Sequence, residues 1–277
     1  MDLITTSTLC IGGVGLASAV ALAIAEKYLS TPQDPRIETV AGLLPGANCG
    51  GCGFAGCADY ARAIVMDNAP CNACAPGGAA CANAIAEVLG RTAGSTEQRV
   101  ALVLCCGDDT EAVRRAAYNG LADCAAAHAT AGGDKGCTYG CLGYGSCARV
   151  CPVNAVTVAN GIAKVDKALC IACGKCVAAC PRTLIKLVPA AATVHVLCSS
   201  KDKGPAVKKV CGTGCIGCRI CTKFADGAIA MDGFLAVVDY AKPLTSAEPA
   251  AKCPGHCIRQ DVGASDAVRS PTPVLES

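Results

Sequence analysis

The chain opens with a long uncharged run. From Leu3 to Ala25 no charged residue occurs, and a stretch of roughly 20 apolar or small residues matches a ~30 Å hydrocarbon core. Residues 1–26 are therefore expected to form one transmembrane helix. Further on the periods shorten. CADYARAIVMD, beginning at Cys57, has helical spacing. VALVLCCGDD and TVHVLCSSKD, beginning at Val100 and Thr193, are β-branched runs that read as strands, each ending in a cysteine. PVNAVTVANGIAKVDKALC, from Pro152, alternates apolar residues around a turn at Asn160 and Gly161, as a β-hairpin does. ADGAIAMDGFLAVVDY, from Ala225, repeats that pattern. Residues 259–277, rich in Ser and Pro and without a period, are expected to be disordered. The expected fold class is α+β.

Composition says what must hold these elements together. Cysteine supplies 25 of 277 residues, Trp is absent and Phe occurs only 3 times, so the large side chains that usually supply burial are scarce. A metal-bound or bonded framework is expected instead. Disulfide scaffolds are small and secreted, and an odd cysteine count fits them poorly. The net charge of +2 gives no footprint for nucleic acid. Ala23 and Ala25 resemble a signal-peptide cleavage site, but Asp2 stands where a basic n-region belongs. Lys27 and Arg36 follow the apolar run with nothing basic before it, which places the bulk of the chain on the cytoplasmic side of the inner membrane. Thiols stay reduced in that compartment.

The cysteines fall into motifs. LPGANCGGCGFAGC carries Cys49, Cys52 and Cys57 among glycines that let backbone wrap closely around a bound group. Cys74, in NACAPGG, can supply a fourth thiolate, with Cys71 as the competing choice; residues 27–92 make up this module. Four thiolates also suit zinc.

CIACGKCVAACP, Cys170 to Pro181, is the bacterial ferredoxin run, in which the fourth cysteine serves the neighbouring cluster. Upstream, Cys137, Cys141, Cys147 and Cys151–Pro152 form a looser version. Exchange of last cysteines then gives the sets Cys137/Cys141/Cys147/Cys180 and Cys151/Cys170/Cys173/Cys176 within a two-cluster domain, residues 137–190. A zinc ribbon has no use for the third cysteine step or the following proline.

A third repeat, residues 215–258, offers Cys215, Cys218 and Cys221, but Ala225 and Asp226 stand at its Cys–Pro position. A distant Cys253–Pro254 survives, so the expected set is Cys215/Cys218/Cys221/Cys253, with Cys257 as a substitute for Cys253 or the repeat empty. If the strands of 93–136 and 191–214 pair in a small α/β layer, Cys105, Cys124, Cys198 and Cys211 can meet around a further cluster; buried free thiols are the alternative. At least three [4Fe–4S] clusters are expected, and five if every set is filled. Cys10, Cys71, Cys81, Cys106 and Cys257 are left over.

In content and order, the apolar N-terminus, GANCGGCGFAGC, CAPGG, KGCTYGCLGYGSCARVCP and CIACGKCVAACP resemble the B-type subunit of Rnf electron-transport complexes, over about residues 1–258. That resemblance implies a membrane protein exchanging electrons with soluble ferredoxin and with other subunits, in a complex coupling ferredoxin:NAD⁺ oxidoreduction to Na⁺ or H⁺ transport. No GxGxxG fingerprint lies between a strand and a helix, and no catalytic constellation stands out around His128, His195 or His256. The chain is thus expected to carry electrons within a translocase and to make no bonds itself. A ferredoxin-like subunit of a hydrogenase or dehydrogenase is the alternative. Lys201, Lys203, Lys208 and Lys209 form a basic cluster that suits either an acidic carrier or plain solvation.

Overall fold

The computed structural model describes residues 3–29, 34–94 and 97–260. Helix α1 covers Leu3–Leu29. Along it Leu9, Ile11, Val14, Leu16, Val20, Leu22 and Ile24 are all exposed. Among the described residues no helix is long and apolar enough to cross a membrane.

The N-terminal cysteine module is helical: α2 (Pro35–Leu43), α3 (Cys57–Met66) and α4 (Gly78–Leu89). Asp34 caps α2 by accepting the Arg36 N–H at 2.9 Å, with Pro35 in the first turn, where its missing N–H costs nothing. Val40, Leu44, Tyr60, Ile64 and Ile85 form the core between these helices. The buried Tyr60 hydroxyl donates to the Pro70 carbonyl at 2.6 Å and accepts the Ala73 N–H at 3.0 Å, so one side chain pins the loop carrying Cys71 and Cys74.

The remainder consists of two similar halves. In the first, β1 (Arg99–Val103) lies antiparallel to β4 (Ile185–Pro189), with Val103 opposite Ile185. Between them come α5 (Cys124–Ala129), α6 (Ser146–Arg149), the hairpin β2 (Val156–Ala159) and β3 (Ile162–Val165), and α7 (Lys175–Ala179). The hairpin turns at Asn160 and Gly161, both at positive φ, which suits its two-residue connection. In the second half, β5 (Val194–Val196) pairs antiparallel with β8 (Ile258–Gln260), with Val196 opposite Ile258. Between these lie α8 (Gly204–Val210), a 3₁₀ turn over Cys221–Phe224, the hairpin β6 (Ile229–Asp232) and β7 (Leu235–Val238), and α9 (Glu248–Ala251).

Two expectations need correction. The runs at Val100 and Thr193 do not pair with each other. Each is taken by the strand that follows its own half's Cys–Pro, because that strand brings a complementary apolar edge back beside it. The loops after the two runs do meet: Val113 N–H donates to the Val210 carbonyl at 3.0 Å, and Gly212 N–H to that of Glu111 at 2.8 Å. Residues 259 and 260, expected to begin the disordered tail, belong to β8; the rest of that tail lies outside the described residues.

Candidate metal centres

The 24 cysteines from Cys49 to Cys257 are free thiols. Among the described residues no three Cys, His, Asp or Glu side chains close on a point that would hold a single metal ion. Three groups of thiols instead ring cavities.

Cys49, Cys52, Cys57 and Cys74 line one cavity of about 300 Å³ with Gly50, Gly56 and Tyr60. Asn48 holds the loop by accepting the Cys57 N–H at 2.8 Å, and Gly50 and Gly53 take positive φ where the chain bends round the opening. Cys71 is buried in the core beside Tyr60 and does not line the cavity. Cys81 crowds Cys74 across Gly77, where a β-carbon would lie 2.8 Å from the Cys81 sulfur. Burial raises the pKa of both Cys74 and Cys81.

Cys151, Cys170, Cys173 and Cys176 also converge, the first three being the electrostatic neighbours of Cys176, whose pKa burial pushes up to about 11. Backbone N–H groups of Ala155 and Ala101 donate to the sulfurs of Cys151 and Cys170 at 3.2 and 3.3 Å. The loop of this set lies against the N-terminal module: a β-carbon on Gly51 would lie 3.0 Å from the Cys173 carbonyl oxygen.

At the adjacent centre the structure departs from the expected set. Cys141, Cys147 and Cys180 share a cavity of about 360 Å³ with Cys124, and Cys137 is elsewhere. Burial, then the charges of Cys141, Cys124 and Cys180, push Cys147 to about 12. Cys124 is held by its surroundings. Asp123 caps α5, the Cys124 N–H donates to Ser146 Oγ at 2.8 Å, and Ser146 donates to Asp123 at 2.8 Å. The sequence does carry a signal for this import. Cys141–Leu–Gly–Tyr144–Gly–Ser–Cys147 is a ferredoxin run with tyrosine in the middle cysteine's place, so one donor must come from outside. The Tyr144 ring packs on Tyr118, 5.2 Å between centroids.

In the second half Cys215, Cys218 and Cys253 surround Cys221, whose pKa burial pushes up to about 11. The fully buried Cys257 contacts Cys253, sulfur to sulfur 3.8 Å. Its hydrogen bonds to Cys215 and Cys253 hold those two thiols low, at about 6 and about 5, and raise its own pKa. Cys105, Cys198 and Cys211 line a cavity of about 400 Å³ with Cys137, not with Cys124 as expected; Cys106 borders it as well.

Sets of four thiols ringing cavities, some with backbone N–H groups aimed at sulfur, fit iron–sulfur cubanes. Such sites, joined by paired hairpins, define a multi-cluster ferredoxin-type electron carrier. An "Fe-S cluster" family model matches residues 44–76, and a "4Fe-4S dicluster domain" model matches residues 134–185. The chain is 46% identical to the B-type subunit of the Na(+)-translocating ferredoxin:NAD(+) oxidoreductase complex of Acetobacterium woodii, over 91% of this chain and 76% of that one. It is 42% identical to the B-type subunit of the ion-translocating oxidoreductase complex of Methanosarcina acetivorans, over 93% of this chain and 98% of the other. It is also 42% identical to the proton-translocating counterpart of Clostridium ljungdahlii, over 91% of each chain. The chain belongs to the family of B-type subunits of Rnf complexes, and it carries multiple [4Fe–4S] clusters.

Proposed function

We propose that this chain is the membrane-anchored electron-transfer subunit of an Rnf-type ion-translocating oxidoreductase, passing electrons between soluble ferredoxin and the other subunits. One observation carries the reading: the first three of the four-thiol sets are immediate neighbours. Gly51 abuts Cys173 between the first set and the second. The second and third exchange their last cysteines, since Cys151 follows Cys147 in the chain yet sits with Cys176, while Cys180 follows Cys176 yet sits with Cys147. The ligand sets are Cys49/Cys52/Cys57/Cys74, Cys151/Cys170/Cys173/Cys176, Cys124/Cys141/Cys147/Cys180 and Cys215/Cys218/Cys221/Cys253.

Clusters held there supply one-electron redox chemistry. The chain's own part is to fix the thiolates, exclude water and donate N–H groups to sulfur, as Ala101, Ala155 and Ala236 do. Such hydrogen bonds stabilise the more negative state and so tune potential.

Anchoring rests on α1, whose apolar side chains Leu9, Ile11, Val14, Leu16, Val20, Leu22 and Ile24 stand exposed around the helix. The charges after it orient the remainder toward the cytoplasm.

The test is to purify the chain anaerobically, add reduced ferredoxin and follow visible bleaching with low-temperature EPR. Rapid bleaching with cubane signals is expected, and a colourless zinc protein would end the reading. Deleting residues 1–26 is expected to release the chain from membranes; its retention would remove the anchor.

A further inference from the structure

We infer that Cys105, Cys137, Cys198 and Cys211 hold an additional [4Fe–4S] cluster, built from the same two positions of each half and joining the two halves. The inference rests on the iron–sulfur reading of the other four sets.

The halves are duplicates in detail. Cys105 lies two residues after Val103, which faces Ile185; Cys198 lies two after Val196, which faces Ile258. Leu104 N–H donates to the Leu184 carbonyl at 2.8 Å, and Leu197 N–H to the Cys257 carbonyl at 2.7 Å. Cys141 N–H donates to the Cys105 sulfur at 3.3 Å, and Cys215 N–H to the Cys198 sulfur at the same 3.3 Å. N–H groups two residues further on, at Gly107 and Ser200, also bond the sulfurs of Cys105 and Cys198. Cys137 and Cys211 each stand four residues before the first cysteine of their half's motif, in KGCTYGC and KVCGTGC. A symmetric pair of positions thus meets across one cavity.

This equivalence selects four thiols from the five present. Cys105 has a cysteine counterpart in Cys198, whereas Cys106 corresponds to Ser199. The Ser199 hydroxyl donates to the Leu104 carbonyl at 2.9 Å, and the Cys106 sulfur lies 3.9 Å from the Thr213 carbonyl, so both act as loop ties. Cys137 is an electrostatic neighbour of both Cys198 and Cys211, and a β-carbon on Gly140 would lie 3.5 Å from the Cys137 sulfur and 3.8 Å from that of Cys105.

The cavity fits an anionic occupant. Cysteines line it as they line the two other thiol-ringed cavities. Lys135 lines it, fully buried, with its ammonium donating to the carbonyls of Gly161 at 2.7 Å and Gly107 at 3.2 Å. Arg182 clasps the turn between the two centres, donating to the Cys137 carbonyl at 3.0 Å and to that of Gly140. Four thiolates around a cubane leave net negative charge, which Arg182, facing Cys137, Cys141 and Cys105, offsets in part; Lys135 adds to this although it also pairs with Asp109 at 3.6 Å. Through Cys141 and Cys215, the cavity lies one hydrogen bond from the set of each half.

The test is iron and acid-labile sulfide per full-length chain, purified anaerobically, with zinc measured alongside. The wild type is expected to hold about 20 of each, since each cubane contributes about four. About 16 would overturn the inference and leave the electron-carrier reading standing; no iron would sink both. Cys137→Ala and Cys211→Ala are each expected to lose about four iron and four sulfide, and Cys106→Ala none. Full iron in the first two variants, or loss of zinc in place of iron, would overturn it. Mössbauer counting of wild-type cubanes gives five or four independently of whether any variant folds.

Discussion

The two halves of the ferredoxin region share a scaffold but not a cofactor load. The first, from β1 to β4, gathers two sets of four thiols; the second, from β5 to β8, gathers one. Where the first has Cys151, the second has the fully buried Ala225, four residues after the equivalent cysteine. Where the first keeps Leu184 in its core, the second has Cys257, equally buried and making the same backbone hydrogen bond. Where the second uses Cys218 in line, the first has Tyr144 and imports Cys124. The strand pair and hairpin therefore hold the fold, and individual ligands can be lost, replaced or brought in from a loop without disturbing it.

Breaking the import should have the largest effect. Cys124→Ala is expected to remove about four iron and four sulfide per chain. Adding Tyr144→Cys in that background is expected to restore them by returning the run to the in-line form of Cys218. Iron analysis and EPR report both, and no loss in the single variant would mean that Cys124 is only a buried thiol.

Next comes the core position. Leu184→Ala should cost about 2–5 kcal/mol in denaturant titrations and Leu184→Cys about half of that. The reverse change, Cys257→Leu, should cost about 1–3 kcal/mol by overpacking. A neutral Cys257→Leu would show that the second half has spare room that the first lacks.

Two glycines sharpen the comparison further. Gly143 and Gly217 follow the first cysteine of each half at φ 81° and 71°, and both aim N–H groups at that sulfur. Alanine at either should cost about 1–2 kcal/mol from the left-handed backbone. Gly143→Ala should be the worse, because its β-carbon would collide with the Gly161 carbonyl, whereas at Gly217 the nearest atom, the Phe234 oxygen, is 3.0 Å away.

The smallest effect concerns pH. Hydrogen bonds from Ser146 and the first N–H groups of α5 lower the pKa of Asp123. Its contribution is therefore present above the ordinary carboxylate pKa and lost as pH falls through the lowered value. Iron release on acidification should begin at higher pH in Asp123→Asn than in the wild type, and coincident curves would exclude a role for this cap.

The spacing of CIACGKCVAACP makes the convergence of Cys170, Cys173 and Cys176 legible, because three-residue steps bring thiols round one short loop. The hairpins are legible for a similar reason, since alternation and a two-residue turn are local. What escapes is non-local. Cys124 and Cys137 exchange the roles that spacing suggests, because a donor brought in on a separate helix leaves no period in the sequence, and only the tyrosine at 144 hints at the vacancy it fills. The partners of β1 and β5 escape too: two look-alike strands suggest a pair, when their likeness comes from duplication.

Gly51 carries one more consequence. Its missing side chain lets the N-terminal module rest directly on the Cys173 loop. A single methyl added there would lie 3.0 to 3.4 Å from three backbone atoms of Cys173, so any other residue at this position would push the two ligand loops apart by a few tenths of an ångström.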